Sequence, residues 1–445
     1  MATVAFEIAE ADARIALPRD ELRLLGGARG VLAIALFGAP LVFGAAERWG
    51  WAAVVVLIAF ALGLWAVTWL RRDPIVLVWS PFYAPGLLFL VLGSFQFLTD
   101  RTADLESTRN SIIELAAILI AFFLALQLSR NKDAKFWRRF GSATVGYSFV
   151  VALFAVIQYF SSPEKLYWVI TPRWRSWIFG PYLNHNHYAG LMEMLIPISA
   201  CYSLSRYRQN RSGGLLAFGV LFAVASVLLS GSRGGMVALL LEAVVLIGIV
   251  LRTDHRAHAM RPAIWLTAAL AVAFAAFLWM DNDDIAQHLA TVFEPSQASD
   301  VSFAYRRQTW LDSLRMFRDH KGLGTGLGSF EYAFPRYQSL PGDDVWDHAH
   351  NDYVEMLAET GIAGGALVLT AMLLWFRLAF QNLRERLRHA YGWIQLGAAI
   401  GCCGLLFHSL FDFNLHMPAN ALWFAVCAAL ATAEVPRQRL LSSTS

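Results

Sequence analysis

The segment Asp347–Tyr353 holds the side chains of this sequence that best suit acid–base chemistry. It reads Asp-His-Ala-His-Asn-Asp-Tyr, with Asn351 directly after the second of the histidines His348 and His350. Histidine is the side chain whose unperturbed pKa lies nearest physiological pH, which suits a general base. A solvated histidine pair at a polar helix start is the alternative. A zinc site is a third interpretation, but no third His, Cys or Glu stands at a recognised metal spacing, so we expect no metal ion.

Two arginine motifs could contact a phosphate. Arg233 lies in the turn Ser230–Gly235 between two apolar runs, and Arg306 and Arg307 lie in Tyr305–Gln308. The guanidinium group pairs bidentately with phosphate oxygens, so arginines from two separate elements would clamp a pyrophosphate. The alternatives are an Arg233 side chain that snorkels to the membrane interface and an arginine pair on a solvated helix face.

Three further segments are polar and carry weaker signals. The backbone amides of Gly322–Phe330, which includes Gly326, could approach a phosphate, but no Gly-Lys-Ser/Thr follows as in a P-loop, and a flexible turn is favoured. Structural reinforcement explains the other two segments as well as substrate contact does. They are Asn184–Gly190, with Asn184 and His187, and His408–Asn420, with Asp412.

Composition indicates the kind of element that must position these groups. The chain has 445 residues, of which 57% are hydrophobic and 16% are charged, against about 25% charged in soluble proteins. The deficit of charge is typical of a chain that lies mostly in hydrocarbon. A formal net charge of +3 is too small to imply nucleic-acid binding, and all 4 cysteines lie in apolar runs, which excludes a disulfide framework.

We therefore expect an all-α, polytopic membrane protein. A spanning helix needs roughly 17–25 mostly apolar residues, and this window predicts about twelve spans. They cover approximately residues 30–46, 51–70, 78–98, 111–128, 142–160, 185–204, 213–230, 234–251, 262–280, 362–381, 391–410 and 417–433.

Lysine and arginine in the short loops predict the orientation of these spans. The bias places a tail of residues 1–29 and a tail of residues 434–445 in the cytoplasm. The spans then fall into two groups, 30–280 and 362–433. The loop 281–361 between them lies on the outer face, and it is too long for a simple connection. We expect a helical subdomain there, with one helix over 305–317 and a second that begins near Asn351.

The order of these motifs around one long loop resembles the O-antigen ligase family, which shares a domain with O-antigen polymerases and bacterial protein oligosaccharyltransferases. The matching pieces are His350-Asn351 with Gly361 after it, the Ser-Gly-Ser-Arg-Gly-Gly turn, the arginine pair at 306–307, the run Gly324–Gly328 and the segment His408–Asn420.

The resemblance implies a polytopic glycosyltransferase of the GT-C type that inverts the anomeric centre and uses neither cofactor nor metal ion. Its donor would be a glycan on undecaprenyl pyrophosphate, and its acceptor the lipid A–core of lipopolysaccharide. Both partners are lipids of the bacterial inner membrane, and the site would face the periplasm.

Carried over to this chain, His350 is the base that takes the proton of the acceptor hydroxyl. Arg233 and Arg306 contact the pyrophosphate, and Arg307 is the alternative to its neighbour Arg306. The residues that would support them are His348, Asn351, Asn184, His187, Gly326 and Asp412.

Other functions compete with a ligase. A polymerase of the same superfamily and a protein O-oligosaccharyltransferase would use the same motifs. A membrane transporter belongs to another class, and it should carry ionisable groups near the middle of the membrane and paired broken helices. Because the charges of this sequence gather at the predicted outer ends of the helices, an enzyme is favoured.

The arginine clamp gives a first prediction. Lysine keeps the charge of arginine but loses the planar fork, so Arg233→Lys and Arg306→Lys should each lose most of the transfer activity. The measurement is the rate of glycan transfer by each purified variant. Full activity in both lysine variants would exclude the clamp.

Overall fold

A computed structural model gives the fold and describes residues 19–71, 77–129, 134–172, 177–209, 214–253, 303–339 and 346–433. Within these ranges the chain is all-helical, as the sequence predicts. The α-helices are α1 (Arg19–Gly38), α2 (Arg48–Leu70), α3 (Tyr83–Leu98), α4 (Leu105–Ser129), α5 (Ala134–Ser161), α6 (His185–Arg208), α7 (Gly214–Ser230), α8 (Arg233–Thr253), α9 (Phe303–Asp319), α10 (Phe330–Ala333), α11 (Asp352–Phe380), α12 (Leu383–Arg386), α13 (Ala390–His408) and α14 (Pro418–Thr432). Short 3₁₀ turns lie at Ala39–Leu41, Phe43–Ala45, Phe334–Arg336 and Asn414–His416.

Among the described residues, 7 helices are long and apolar enough to cross a membrane: α1 with its extension to Leu41, α2, α4, α5, α8, α11 and α13. The apolar helices α3, α7 and α14 are shorter. Each predicted span on described residues overlaps one of the helices α1 to α14, while the span predicted over 262–280 lies outside the described residues. The chain is a multi-pass membrane protein, and the total of about twelve spans stays a prediction.

The first helix begins earlier than the sequence analysis expects. It is helical from Arg19, well before the predicted start at residue 30. Residues 19–25 include Arg19, Glu21, Leu22 and Arg23, which favour helix, and although glycines follow at 26, 27 and 30, no proline interrupts the stretch. The polar part of this helix therefore continues directly into its apolar part.

Helix α6 forms the centre of the bundle, although it is not one of the apolar spans. It is buried over nearly its whole length and packs most extensively on α13. A Cβ atom added at Gly397 would lie 2.5 Å from the Cα of Ile198, and one at Gly401 would lie 2.8 Å from the carbonyl oxygen of Glu193. Small residues allow helices to approach this closely. Because neighbouring helices enclose α6, it can carry the polar side chains that the site uses.

Residues 303–339 and 346–361 form a helical unit that we call the loop subdomain. Its helix α9 confirms the helix predicted over 305–317. A small apolar core includes Met316 of α9, Phe330 of α10 and Ala358 of α11. This core fixes α9, which contacts the His348–His350 segment, and α11, which follows it. The periplasmic position of the subdomain remains a prediction.

Helix α11 joins the loop subdomain to the membrane helices. The side chain of Asn351 accepts hydrogen bonds from the backbone amides of Tyr353 and Val354, both at 3.1 Å, which starts the helix where the sequence predicts. The helix is interrupted at Gly361, which has φ 63° and ψ −162°. A Cβ atom there would lie 2.5 Å from the carbonyl oxygen of Gly322, so only glycine fits. The break separates a polar first part from an apolar second part.

The glycine-rich segment 322–330 is a structural clamp. Every backbone amide from 324 to 330 donates to an acceptor within the protein. The carboxylate of Glu359 accepts hydrogen bonds from the backbone amides of Gly328 and Phe330, both at 2.9 Å. The side chain of Gln96 in α3 accepts from Leu327 and donates to the carbonyl oxygens of Leu323 and Glu359. The segment thus ties the loop subdomain to α3 and α11, and these amides are occupied rather than open to a phosphate.

This clamp gives a stability prediction with an internal control. Gly324 has φ +75°, and a Cβ atom there would lie 2.1 Å from the carbonyl carbon of Glu359, whereas a Cβ atom at Gly322 meets nothing within 4 Å. Gly324→Ala should lower the free energy of unfolding by about 1–3 kcal/mol because it adds backbone strain and a steric clash. Gly322→Ala should change it little. The measurement is the thermal unfolding midpoint of each purified variant in detergent, and equal midpoints would contradict the clamp.

Candidate active site

His350 sits in an unusual backbone conformation at the start of α11. Its φ is +51°, which is uncommon for any residue other than glycine and is maintained only where the surroundings enforce it. On one side, Trp310 of α9 donates its Nε1–H to the carbonyl oxygen of Ala349 at 2.9 Å. On the other side, Asn351 caps α11 and donates its Nδ2–H to the carbonyl oxygen of Leu410 at 2.8 Å. These contacts fix the direction of the imidazole.

The imidazole of His350 is paired with a buried carboxylate. Its Nδ1 lies 3.3 Å from Oδ1 of Asp412, whose side chain is fully buried in the turn between α13 and α14. The backbone amide of Phe413 donates to the same oxygen at 2.9 Å. Nδ2 of Asn186 donates to the other carboxylate oxygen at 2.6 Å. Asn186 in turn accepts a hydrogen bond of 2.7 Å from the hydroxyl of Ser232.

The electrostatics of this pair favour an ionised Asp412. Burial by itself would raise the pKa of the Asp412 carboxyl, but the hydrogen bond and charge of His350, together with the charge of Arg306, hold that pKa well below its usual range. An ionised Asp412 accepts the Nδ1–H of His350, which leaves Nε2 as the proton acceptor of the ring. The side chain of His350 is 15% exposed, so a substrate hydroxyl can reach the ring.

Of the predicted arginines, Arg306 lies beside this pair. Arg306 donates from its NH1 to the carbonyl oxygen of Phe411 at 2.9 Å, and its Nε is buried with no hydrogen-bond partner among the described residues. Arg233 is the exposed first residue of α8, directly after Ser232. The network through Asn186 therefore leads from Asp412 to Ser232, the residue before Arg233. Arg307 is exposed on α9, and this contrast favours Arg306 as the arginine of the site.

The remaining predicted residues support the site from within the protein. Asn184 caps α6, because its side-chain oxygen Oδ1 accepts a hydrogen bond of 2.8 Å from the backbone amide of Asn186. His187 is buried, and its ring centroid lies 4.7 Å from that of Phe413. Gly326 belongs to the clamp of segment 322–330. The structure therefore gives Asn184, His187 and Gly326 contacts within the protein, and it places Asn351 and Asp412 next to His350.

A second cluster of titratable groups lies beside Phe413. Nδ1 of His348 lies 2.7 Å from Oε1 of Glu355, and Nε2 of His416 lies 3.3 Å from the same oxygen. Nδ1 of His416 lies 2.7 Å from Oδ1 of Asp352. Burial alone would lower the pKa of His416, but with no cation bound the carboxylates of Glu355 and Asp352 raise that pKa to about 10. Burial also opposes protonation of His348, and Glu355 outweighs it and raises the pKa.

Sequence reasoning missed several of these partners. Asn186, Ser232 and His416 stand in motifs that the sequence analysis quotes, but nothing local assigns a partner to them. The sequence also predicts that charges gather at the helix ends, whereas the carboxylates of Glu193 in α6 and Glu242 in α8 are buried inside the bundle. Oε1 of Glu193 lies 2.7 Å from Nδ1 of His408, which connects this carboxylate to the end of α13 near the site.

Residues 218–369 match the family model described as O-antigen ligase. The match supports membership of the O-antigen ligase superfamily, whose members are glycosyltransferase-like enzymes. The matched range includes Arg233, Arg306 and His350, whereas Asn186 and Asp412 lie outside it. No curated protein matches the chain.

The carboxylate of Asp412 gives a prediction for this site. In Asp412→Asn the new amide can donate to Nδ1 of His350, which would place the ring proton on Nε2 and remove the base. We expect the rate of glycan transfer to fall by about 100-fold or more. The control is Glu331→Gln, which neutralises an exposed carboxylate of the loop subdomain. An Asp412→Asn rate close to that of this control would show that His350 needs no carboxylate partner.

Proposed function

We propose that this protein is a ligase that transfers a glycan from undecaprenyl pyrophosphate to lipid A–core at the periplasmic face of the bacterial inner membrane. The observation that carries the proposal is the His350–Asp412 pair, which lies beside Arg306 in a membrane protein with an O-antigen ligase domain. Both substrates are lipid-anchored, and a site on the end of a helical bundle would be open to both.

In the proposed reaction, Nε2 of His350 takes the proton of the acceptor hydroxyl as its oxygen attacks the anomeric carbon. The bond between that carbon and the pyrophosphate oxygen breaks, and undecaprenyl pyrophosphate leaves with the bonding electrons. Attack from the side opposite the leaving group inverts the anomeric centre. Asp412 keeps the imidazole in the required tautomer and stabilises the imidazolium that forms.

The arginines would stabilise the leaving group. Pyrophosphate leaves readily if its developing negative charge is neutralised, and fixed guanidinium groups do this through preorganised electrostatics. Arg306 suits this role because its NH1 is anchored on Phe411 while its Nε makes no hydrogen bond to the described protein. Arg233 would approach from the start of α8. With two arginines in these positions, the proposed chemistry requires no metal ion.

The test is a transfer assay with the full-length purified protein, undecaprenyl-pyrophosphate-linked glycan and lipid A–core, read as a size shift of the core on a gel. We expect transfer in the wild type and a loss of at least about 100-fold in His350→Ala, because the hydroxyl would lack its base. The matched control is His320→Ala, which removes an exposed histidine of the same loop subdomain.

Each other outcome has its own meaning. Longer glycans on undecaprenyl pyrophosphate, with no shift of the core, would identify a polymerase. A glycan that appears on an added acceptor protein would identify a protein O-oligosaccharyltransferase. No change in any acceptor, with movement of the lipid-linked glycan across a vesicle membrane, would identify a transporter. Wild-type transfer by a folded His350→Ala protein would remove His350 from the mechanism.

A further inference from the structure

The cluster of His348, Glu355 and His416 has the arrangement of a set of metal ligands. One ligand atom from each residue lies within 4.8 Å of the other two. The rings of both histidines direct a nitrogen at the same oxygen, Oε1 of Glu355, at 2.7 Å and 3.3 Å. The three side chains come from different places in the fold, namely the segment before α11, α11 itself and the 3₁₀ turn Asn414–His416.

A second contact orients each of these three groups. Nδ1 of His416 is bound to Asp352, so its Nε2 is the nitrogen that faces the cluster. Oε2 of Glu355 accepts a hydrogen bond of 2.7 Å from the backbone amide of Ala349, so the other oxygen of Glu355, Oε1, faces the cluster. The ring of His348 is stacked on Phe413 with centroids 4.2 Å apart. A carboxylate on the far nitrogen of a ligating histidine is the usual outer-shell arrangement of metal sites.

Charge around the cluster also favours a cation. Asp352 and Glu355 contact the imidazoles directly, while Glu359 interacts electrostatically with His416 and Glu114 with both rings. Four carboxyl groups therefore surround two imidazoles in a largely buried place. Buried negative charge is costly unless it is paired. Protons on the two imidazoles supply this pairing, and a divalent cation that binds here would displace them.

We propose that His348, Glu355 and His416 bind a divalent transition-metal ion, and that this ion braces the segment that carries His350. Two imidazole nitrogens and one carboxylate oxygen suit Zn²⁺, with a fourth position left for water. The ion ties the segment before α11 to the turn before α14. It takes no part in the transfer chemistry proposed above, so it departs from the sequence-based expectation of no metal ion without altering the catalytic roles.

The test measures zinc bound to the full-length protein, purified in detergent without a polyhistidine tag and first stripped with a chelator. We expect one Zn²⁺ per chain and a higher thermal unfolding midpoint when zinc is added back. Glu355→Gln and His416→Gln should lose this ion, and His320→Gln should keep it, because His320 is an exposed histidine outside the cluster. Asp352→Asn should bind zinc about 10- to 100-fold more weakly, as expected for an outer-shell partner.

Two results would overturn the proposal. Equal zinc binding by wild type and His416→Gln would mean adventitious binding at the protein surface. No stoichiometric zinc in the wild type would mean that protons alone hold the cluster together, as a network of imidazolium and carboxylate groups. If Glu355→Gln does not fold, His416→Gln and Asp352→Asn give the same comparison. Neither readout involves a glycan, so the proposal can fail while the proposed transfer stands, and the reverse.

Discussion

The buried carboxylate of Asp412 is the group on which the arrangement of the site depends. A fully buried carboxylate is stable only if its oxygens accept hydrogen bonds. Three groups donate them to Asp412: the imidazole of His350, the side-chain amide of Asn186 and the backbone amide of Phe413. One of them is His350, so the requirement to pair Asp412 also aims the imidazole. Another is Asn186 of α6, whose side-chain oxygen Oδ1 accepts a hydrogen bond from the hydroxyl of Ser232 beside the first turn of α8. A single electrostatic constraint thus connects the membrane helices to the loop subdomain.

Beside this polar network, the ring of Phe413 packs against three histidine rings. Its ring lies 4.7 Å from that of His187, 4.2 Å from that of His348 and 5.0 Å from that of His350, measured between centroids. One aromatic side chain therefore separates the imidazole of His350 from the cluster at His416 while it packs against both. Such packing restricts the rotamers of the histidines, and preorganised groups of this kind are what a site for charge stabilisation requires.

The site is assembled from two parts of the molecule that differ in character. The loop subdomain supplies Arg306 from α9 and His350 from the segment just before α11, and the bundle supplies Asp412 and Asn186 at helix ends. Gln96 and Glu359 hold the two parts together through segment 322–330. The match to the O-antigen ligase family model ends at residue 369, so the carboxylate partner of His350 comes from the turn between two helices beyond it. The matched range therefore contains His350 without Asp412, the group that orients its imidazole.

The sequence by itself determined the elements. Hydropathy over about twenty residues is a local property, and it placed the apolar helices on described residues. Capping by Asn351 is also local, so the start of α11 was predictable. Residue type singled out the pair of His348 and His350, and the resemblance to the O-antigen ligase family then selected His350. The family match supports the superfamily that the motifs suggested.

Only the tertiary structure decided which side chains meet. His350 and Asp412 are 62 residues apart, and Asn186 and Asp412 are 226 apart, so no local pattern pairs them. The glycine-rich segment could have cradled a phosphate until Glu359 and Gln96 were seen to occupy its amides. His416 joins His348 only because the turn before α14 folds back onto α11. Helices form from short-range periodicity, whereas sites form from contacts between helices, and those depend on the packing of the whole bundle.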